Sequence, residues 1–328
     1  MFINDFVPKT LNDFVINNEI AERIERQNGL FNTIIYGPPG VGKFTLARKM
    51  INNYCNDYKF KIKNSTVNDN KINSSKYHFE LFVNNYNYKD KVSFKKTLRE
   101  FSDSKNVSTG DNNIVIIKNA DLLSRENLLL IKKMSERNDK FITFILTAKN
   151  YSKLRSVLGN FFKIRVPSSN PDKLVDFFSE KLVERDIVGI ADQELRKIIK
   201  NNNNNLTGIL LDIEIIYLSS NIESDKKIKF KNEISRITKK IINNIFAFEY
   251  EELRKNIYEL TTRNIEKSII LNMILKKILL CEIKMEYKIK FLEIAAEYGR
   301  RLAISNKEVI QIEAMCFEFM ALAINIKE

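Results

Sequence analysis

The sequence has no tryptophan, a single histidine and only three cysteines in 328 residues. Cys55, Cys281 and Cys316 are odd in number, far apart and outside any CxxC pair. That argues against a disulfide framework and a cysteine zinc site, and fits a reducing compartment. A lone histidine, His78, argues against a histidine-rich metal site and against Ser-His-Asp chemistry; its plain reading is a strand residue with one hydrogen bond. No apolar run reaches 18 residues without a charge, which argues against a membrane-spanning helix. The first residues, Met1 to Phe6, carry an early acid and no basic segment ahead of an apolar one, so no secretory leader is read here. What remains is a chain with 44% hydrophobic and 29% charged residues, enough for a sizeable core and two or three domains.

The charge is one-sided. Lys plus Arg number 54 against 41 acids, a formal net charge of +13. Such a balance suits a polyanionic partner, usually nucleic acid. Compositional bias toward Lys and Asn is the competing explanation, and the run Asn201–Asn205 reads as a loop of that origin.

Glycine and proline are scarce, so their positions are informative. Nine glycines and five prolines punctuate the whole chain; Gly37–Gly42 holds three of the former and two of the latter, and nothing after Pro171 is proline. The last stretch therefore reads as helical. The first half alternates. Strand runs at Thr33–Tyr36, His78–Val83, Asn113–Ile117 and Phe141–Thr147 are interleaved with helical patterns at Phe44–Tyr54, Val92–Phe101 and Asn127–Ser135. Continuously apolar strands between helices predict a parallel sheet covered on both faces. Pro167–Pro171 reads as a boundary. Helices at Lys173–Asp186, Asp192–Ile199 and Leu206–Ser219 would form a small three-helix domain. The basic stretch Lys226–Lys240 opens a further set of helices, with Ile234, Ile237, Ile241, Ile242 and Ile245 at helical spacing. Later stripes such as Leu271, Ile274, Leu275 and Ile278 read as bundle core.

Gly37-Pro38-Pro39-Gly40-Val41-Gly42-Lys43 follows a strand and opens a helix, which is the context of a phosphate-binding P-loop. Glycines let consecutive N–H groups face one phosphate, the helix N-terminus adds its dipole, and Lys43 reaches the β and γ oxygens. The next position normally carries Ser or Thr for Mg²⁺; here it is Phe44. Thr45 lies one residue on, rotated by about 100° around the helix. The second acid site is altered too. An Asp and a Glu belong at the end of a buried strand, where this chain has Lys118 and Asn119. Asp121 lies too late and reads as a helix cap.

These motifs, with Pro8-Lys9-Thr10-Leu11 ahead of them and Lys118–Asp121 as the remnant of Asp-Glu-Ala-Asp, resemble the small subunits of replication factor C. That is the eukaryotic sliding-clamp loader of the AAA+ class. The last-position, or E, subunit is the nearest branch, on Phe44-Thr45 after the loop lysine, Tyr77-His78-Phe79-Glu80, Arg165-Val166-Pro167 and the helix Ile312–Leu322. The resemblance implies an α/β RecA-like AAA+ core over residues 1–167, a helical lid over 168–224 and an all-α collar over 225–328 that holds five subunits in a ring. It implies nucleotide contacts from Gly37, Pro38, Pro39, Gly40, Val41, Gly42, Lys43, Phe44 and Thr45, with Asn150, or Lys149 in a shifted register, as the sensor residue. Val7 and Pro8 would flank the adenine. Arg125, Lys132 and Lys133 would face duplex DNA, and the Lys226–Lys240 stretch would serve DNA or subunit packing. Partners so implied are the other loader subunits, a ring-shaped clamp of the PCNA kind and primer–template DNA, in the nucleus or a viral replication compartment.

The departures are as informative. The family's arginine finger falls at Gly159-Asn160-Phe161, without an Arg; Arg155 is displaced by several residues. The lid arginine falls near Thr207. With metal ligand, acid pair, finger and lid arginine all changed, the reading is a catalytically silent subunit that holds ADP or ATP structurally, if at all, and without ordinary Mg²⁺. An adaptor outside any ring, and an active ATPase with an unusual metal shell, are the alternatives.

Overall fold

The computed structural model describes residues 6–27, 29–57, 61–67, 70–83, 91–102, 112–137, 141–184, 190–220, 230–262, 265, 267–304 and 308–327. They fall into two compact units, 1–222 and 223–328. None of the described helices is long and apolar enough to cross a membrane.

The first unit is built on a seven-stranded sheet in the order β2-β3-β4-β5-β6-β1-β7. Its strands are β1 (Thr33–Tyr36), β2 (Lys63–Val67), β3 (Asn70–Ser74), β4 (His78–Phe82), β5 (Asn113–Lys118), β6 (Ile142–Ala148) and β7 (Phe162–Arg165). The strands from β4 through β7 run parallel, while β2 and β3 form an antiparallel extension at one edge. Every residue of β6 is buried, and so are the first five of β5, as continuous apolar runs require. Helices α1 (Asn18–Glu25), α2 (Lys43–Cys55), α3 (Lys91–Ser102), α4 (Arg125–Ser135) and the single turn α5 (Ser152–Arg155) connect and cover the strands. One core layer gathers Phe94, Leu98, Leu128, Ile131 and Phe144; the other gathers Leu46, Ile51, Ile35, Ile116 and Ile145.

Because β1 lies between β6 and β7, its neighbours arrive from later in the chain. Tyr36 pairs with Ala148 on one side and Arg165 on the other. The segment leaving β1 therefore emerges where the strand order turns back, the place where open α/β sheets bind ligands. Three more helices complete this unit: α6 (Pro171–Val183), α7 (Asp192–Asn201) and α8 (Leu206–Ser220). Asn170 caps α6 by accepting from the Asp172 N–H, with Pro171 in its first turn, the arrangement expected of a helix start. The sequence placed this helix through Asp186; it ends at Val183, and 185–189 lie outside the described residues.

The second unit is a bundle of α9 (Phe230–Ala247), α10 (Tyr250–Thr262), α11 (Lys267–Leu279), α12 (Met285–Ile304) and α13 (Glu308–Lys327). Ile237, Ile241, Ile242 and Ile245 are buried, as are Leu271, Ile274 and Ile278, so the stripes legible in sequence are core. Residues 226–229 of the basic stretch lie outside the described residues. Glu313 is met by Arg254 at 2.9 Å, and Tyr298 donates to Glu318 at 2.7 Å. Cys316 is fully buried, and burial pushes its thiol up to about 12. Cys55 and Cys281 are half-buried. A thiol reagent at neutral pH should therefore modify Cys55 and Cys281 while Cys316 reacts only on unfolding; mass spectrometry of the native and denatured chain checks this.

Candidate functional site

The loop from Gly37 to Gly42 joins β1 to α2. Gly42 stands at the N-cap of α2 with φ 87°, a left-handed conformation that disfavours a side chain. A Cβ there would project into open space, the kind of opening a phosphate would fill. No side chain caps this helix, so its first N–H groups are left for a ligand. Lys43 Nζ donates to the Gly37 and Pro38 carbonyls at 2.7 and 2.5 Å, folding over the loop. Burial pushes its ammonium down to about 8, with the Asp121 charge opposing that fall and Lys149 adding to it.

Beside the loop is a cleft of about 140 Å³. Val7 and Pro8 form part of its wall, together with Gly40, Val41, Gly42 and Thr45. Phe177, Phe178, Leu206, Thr207 and Leu210 close it from the helical side. The adenine-side candidates and the glycine loop thus share one apolar recess, sized for a base rather than a large ligand. Thr207, where a lid arginine was sought, lines this recess.

The turn between α7 and α8 is fastened to the loop. Leu206 N–H donates to the Gly40 carbonyl at 3.1 Å. The Asn205 side chain packs so closely on Gly40 that no Cβ could be added there, and its Oδ1 also accepts from Gly208 N–H at 3.3 Å. Asn203 and Asn204 take left-handed φ of 50° and 60°, which asparagine tolerates better than most residues. Asn204 Nδ2 reaches the Ser169 carbonyl, and Asn202 Nδ2 reaches Asp212. The asparagine run read as a loop is in fact the end of a helix and a shaped turn, with separate work for its members.

On the opposite side of the loop lie the altered metal positions. Phe44 turns its ring toward Phe82, with centroids 5.8 Å apart. Lys118 Nζ sits 5.0 Å from the Phe44 ring and 5.2 Å from that of Phe82. The Arg48 guanidinium covers Phe44 at 4.5 Å and makes a two-pronged pair with Glu80 at 2.6 and 2.8 Å. Glu80 is buried, and also meets His78 Nε2 at 3.1 Å and Asn73 Nδ2 at 3.1 Å. His78 Nδ1 in turn lies 2.6 Å from Ser75 Oγ, so this histidine's ring meets at least two partners rather than the one expected. Burial alone would raise the Glu80 carboxyl; the hydrogen bonds from His78 and Arg48 outweigh it and bring it down to about 2.

These residues do not fit a divalent cation. Mg²⁺ takes a near-octahedral set of oxygens, whereas Phe44 and Lys118 present an aromatic face and a cation. No cluster of three metal-ligating side chains occurs among the described residues. Asp121 is not a cap: Asn119, at φ 60°, precedes the 3-10 turn Ala120–Leu122, and Ser124 caps α4. Asp121 Oδ1 is buried without a hydrogen-bond partner, and its charge acts on Lys43.

The remaining candidates disperse. Asn150 Oδ1 accepts from the Ser152 N–H and Oγ, both at 2.9 Å, so its oxygen starts α5. Lys149 is the neighbour that acts on Lys43. Arg125 and Lys133 are exposed on α4 and Lys132 half-exposed, 4.0 Å from Glu136. At the finger position Gly159 and Asn160 are exposed and Phe161 is buried. Sequence reasoning missed Arg48 and Phe82, whose only advance signal is the cation four residues after Phe44 on one helix face.

Residues 33–170 match the family of ATPases associated with various cellular activities (AAA), and 230–327 match the C-terminal domain of replication factor C subunit 3. The chain joins an AAA domain to a replication factor C C-terminal domain. This is the make-up of a clamp-loader-like AAA+ protein. The strand pattern implied a parallel sheet covered on both faces, and the core has the RecA-like AAA+ architecture that the resemblance implied. No curated protein matches the chain. Among solved structures it is similar to a DNA polymerase III gamma subunit-related protein of Thermotoga maritima (13% identity, 94% of this chain and 98% of that one, TM-score 0.49). The Bacillus subtilis DNA clamp loader delta protein is 12% identical over 92% and 99% of the two chains, TM-score 0.32. A RuvB variant of Thermotoga maritima is 16% identical over 65% of this chain, TM-score 0.45; the match spans 66% of that chain, just under two thirds.

The Glu80 network should be visible in acid. Its carboxyl lies below the ordinary 4.5, so its stabilisation is complete above about pH 4.5 and is lost as the pH falls toward 2. Urea midpoints across that range should drop for the native chain. Glu80→Gln should flatten the drop and cost about 3–5 kcal/mol near neutrality.

Proposed function

We propose that this chain is a clamp-loader subunit of the replication factor C type that binds nucleotide in its P-loop without hydrolysing it. The observation that carries the reading is the Phe44–Lys118 contact. It occupies both metal-directed positions of a loop whose glycines, helix start and lysine are otherwise intact. Hydrolysis needs an acid to orient metal and another to position water, and Lys118 and Asn119 can do neither. The loop and its apolar cleft suit ADP or ATP. What this chain contributes is binding and orientation: Lys43 and the α2 N–H groups toward phosphate, Val7, Pro8 and Leu210 toward the base.

In an assembly, the C-terminal bundle would join other loader subunits, and Phe44-Thr45, Tyr77–Glu80, Arg165–Pro167 and the last helix favour the last position of the ring. Arg125, Lys132 and Lys133 would meet the phosphates of primer–template DNA beneath a PCNA-like clamp. Such contacts are sequence-independent and salt-sensitive. A nuclear site or a viral replication compartment follows from that role. A second reading, an adaptor outside any ring, draws on the missing arginine at Gly159–Phe161. Co-purification with four related subunits supports the first, and a lone chain the second.

Labelled ADP and ATP should bind the purified chain with no turnover, and Lys43→Ala should weaken binding at least about tenfold. Because Lys43 titrates near 8, affinity should hold steady below that pH. Above it, affinity should fall by about tenfold per unit at most, since phosphate needs the protonated form. Turnover abolished by Lys43→Ala would overturn the silent reading. For the DNA role, replacing Arg125, Lys132 and Lys133 together by Ala should lower the salt slope of binding by about 0.9 per lost phosphate contact, measured by anisotropy on primer–template DNA.

A further inference from the structure

The metal positions of the loop are rebuilt as well as lost. Lys118 ends β5 in register with Phe82 at the end of β4. Both therefore reach the same edge of the sheet as the loop that leaves β1. Phe44 follows Lys43 directly, and the Lys118 ammonium lies 5.0 Å from its ring and 5.2 Å from that of Phe82. An aromatic face attracts a cation without neutralising it.

Arg48 and Lys118 differ in this respect. The charge of Arg48 is matched by Glu80 through two hydrogen bonds. Glu80 is then fully engaged by Arg48, His78 and Asn73. The Lys118 ammonium makes neither an ion pair nor a hydrogen bond with any described residue, although the residue is half-buried. Burial and the nearby Arg48 push its ammonium down from the ordinary lysine range, with the Glu80 charge opposing that fall. A half-buried cation whose nearest carboxylate, Glu80, is already matched by Arg48 is incompletely neutralised, and a phosphate in the neighbouring loop would complete that neutralisation.

We propose that Lys118, held against Phe44 and Phe82, supplies from within the chain the positive charge that Mg²⁺ brings to an ordinary P-loop. The site therefore selects metal-free nucleoside di- or triphosphate. This rests on the nucleotide reading above and deepens it. Where a P-loop site normally sets a carboxylate to attract a divalent cation, this one sets an ammonium that repels it. Mg²⁺ is then an antagonist, because it withdraws free nucleotide into a complex the site disfavours.

The test uses the full chain with fluorescent ADP and ATP, titrated in EDTA and in excess Mg²⁺. Binding should be at least as tight in EDTA, and Mg²⁺ should weaken it several-fold. Lys118→Met keeps an unbranched apolar stem against the two rings; it should lose about tenfold of the metal-free affinity with an unchanged melting temperature. Lys118→Arg, which keeps the charge, should retain most of that affinity and serves if the Met variant folds poorly. Phe44→Thr with Lys118→Asp should reverse the preference and make binding depend on Mg²⁺. Tighter binding by the unaltered chain in Mg²⁺, or full metal-free affinity in Lys118→Met, overturns the inference and leaves the nucleotide reading standing. Failure to bind either nucleotide in both media overturns the nucleotide reading, and the inference falls with it.

Discussion

Glu80 cannot be buried as a bare charge, and the shape of the loop's altered side follows from how that charge is met. Two donors from Arg48, one from His78 and one from Asn73 surround the carboxylate. Arg48 lies one turn along α2 from Phe44, so fixing its guanidinium on Glu80 also lays it over the Phe44 ring. That leaves the ring's surroundings to Lys118 and Phe82. A strand residue two positions before the end of β4 thus governs the surroundings of the first helical turn after the P-loop. Its cost is high, since removing one partner of a buried pair strands the other.

The other side of the loop obeys a different constraint. Gly40 is gripped by Leu206 and Asn205 from the start of α8, and Phe177 and Leu210 complete the apolar recess. The walls of this recess come from elements separated by most of the first unit. The recess is apolar where a base would lie, through residues of α6 and α8, and open to N–H groups where phosphates would lie, at the start of α2.

Much of the fold was legible. The buried strands β1, β4, β5 and β6 announced themselves because a sheet covered on both faces needs unbroken apolar runs. The peripheral strands did not. β7 has one buried residue, Ile164, among exposed neighbours, and the β2–β3 hairpin is rich in Lys, Asn and Ser around the buried Ile72. Such segments become strands because a neighbour offers hydrogen bonds, a cause absent from their own pattern. Of the site, the loop was readable by spacing, while the Thr207 position and Val7–Pro8 came only from the family resemblance. Asp121 was misread as a cap because its sequence position says nothing of the 3-10 turn that buries it.

The chain by itself determined the alternation of strand and helix, the phosphate loop, and the chemistry placed at Phe44, Lys118 and Asn119, since each depends on local pattern or motif spacing. Tertiary structure decided who meets whom. Sheet register brings Lys118 beside Phe82, helix packing lays Phe44 and Arg48 against both, and the fastening of α8 sets Asn205 on Gly40. The physical reason is that contacts between distant segments depend on register and packing summed over the whole core, and no single segment carries that sum.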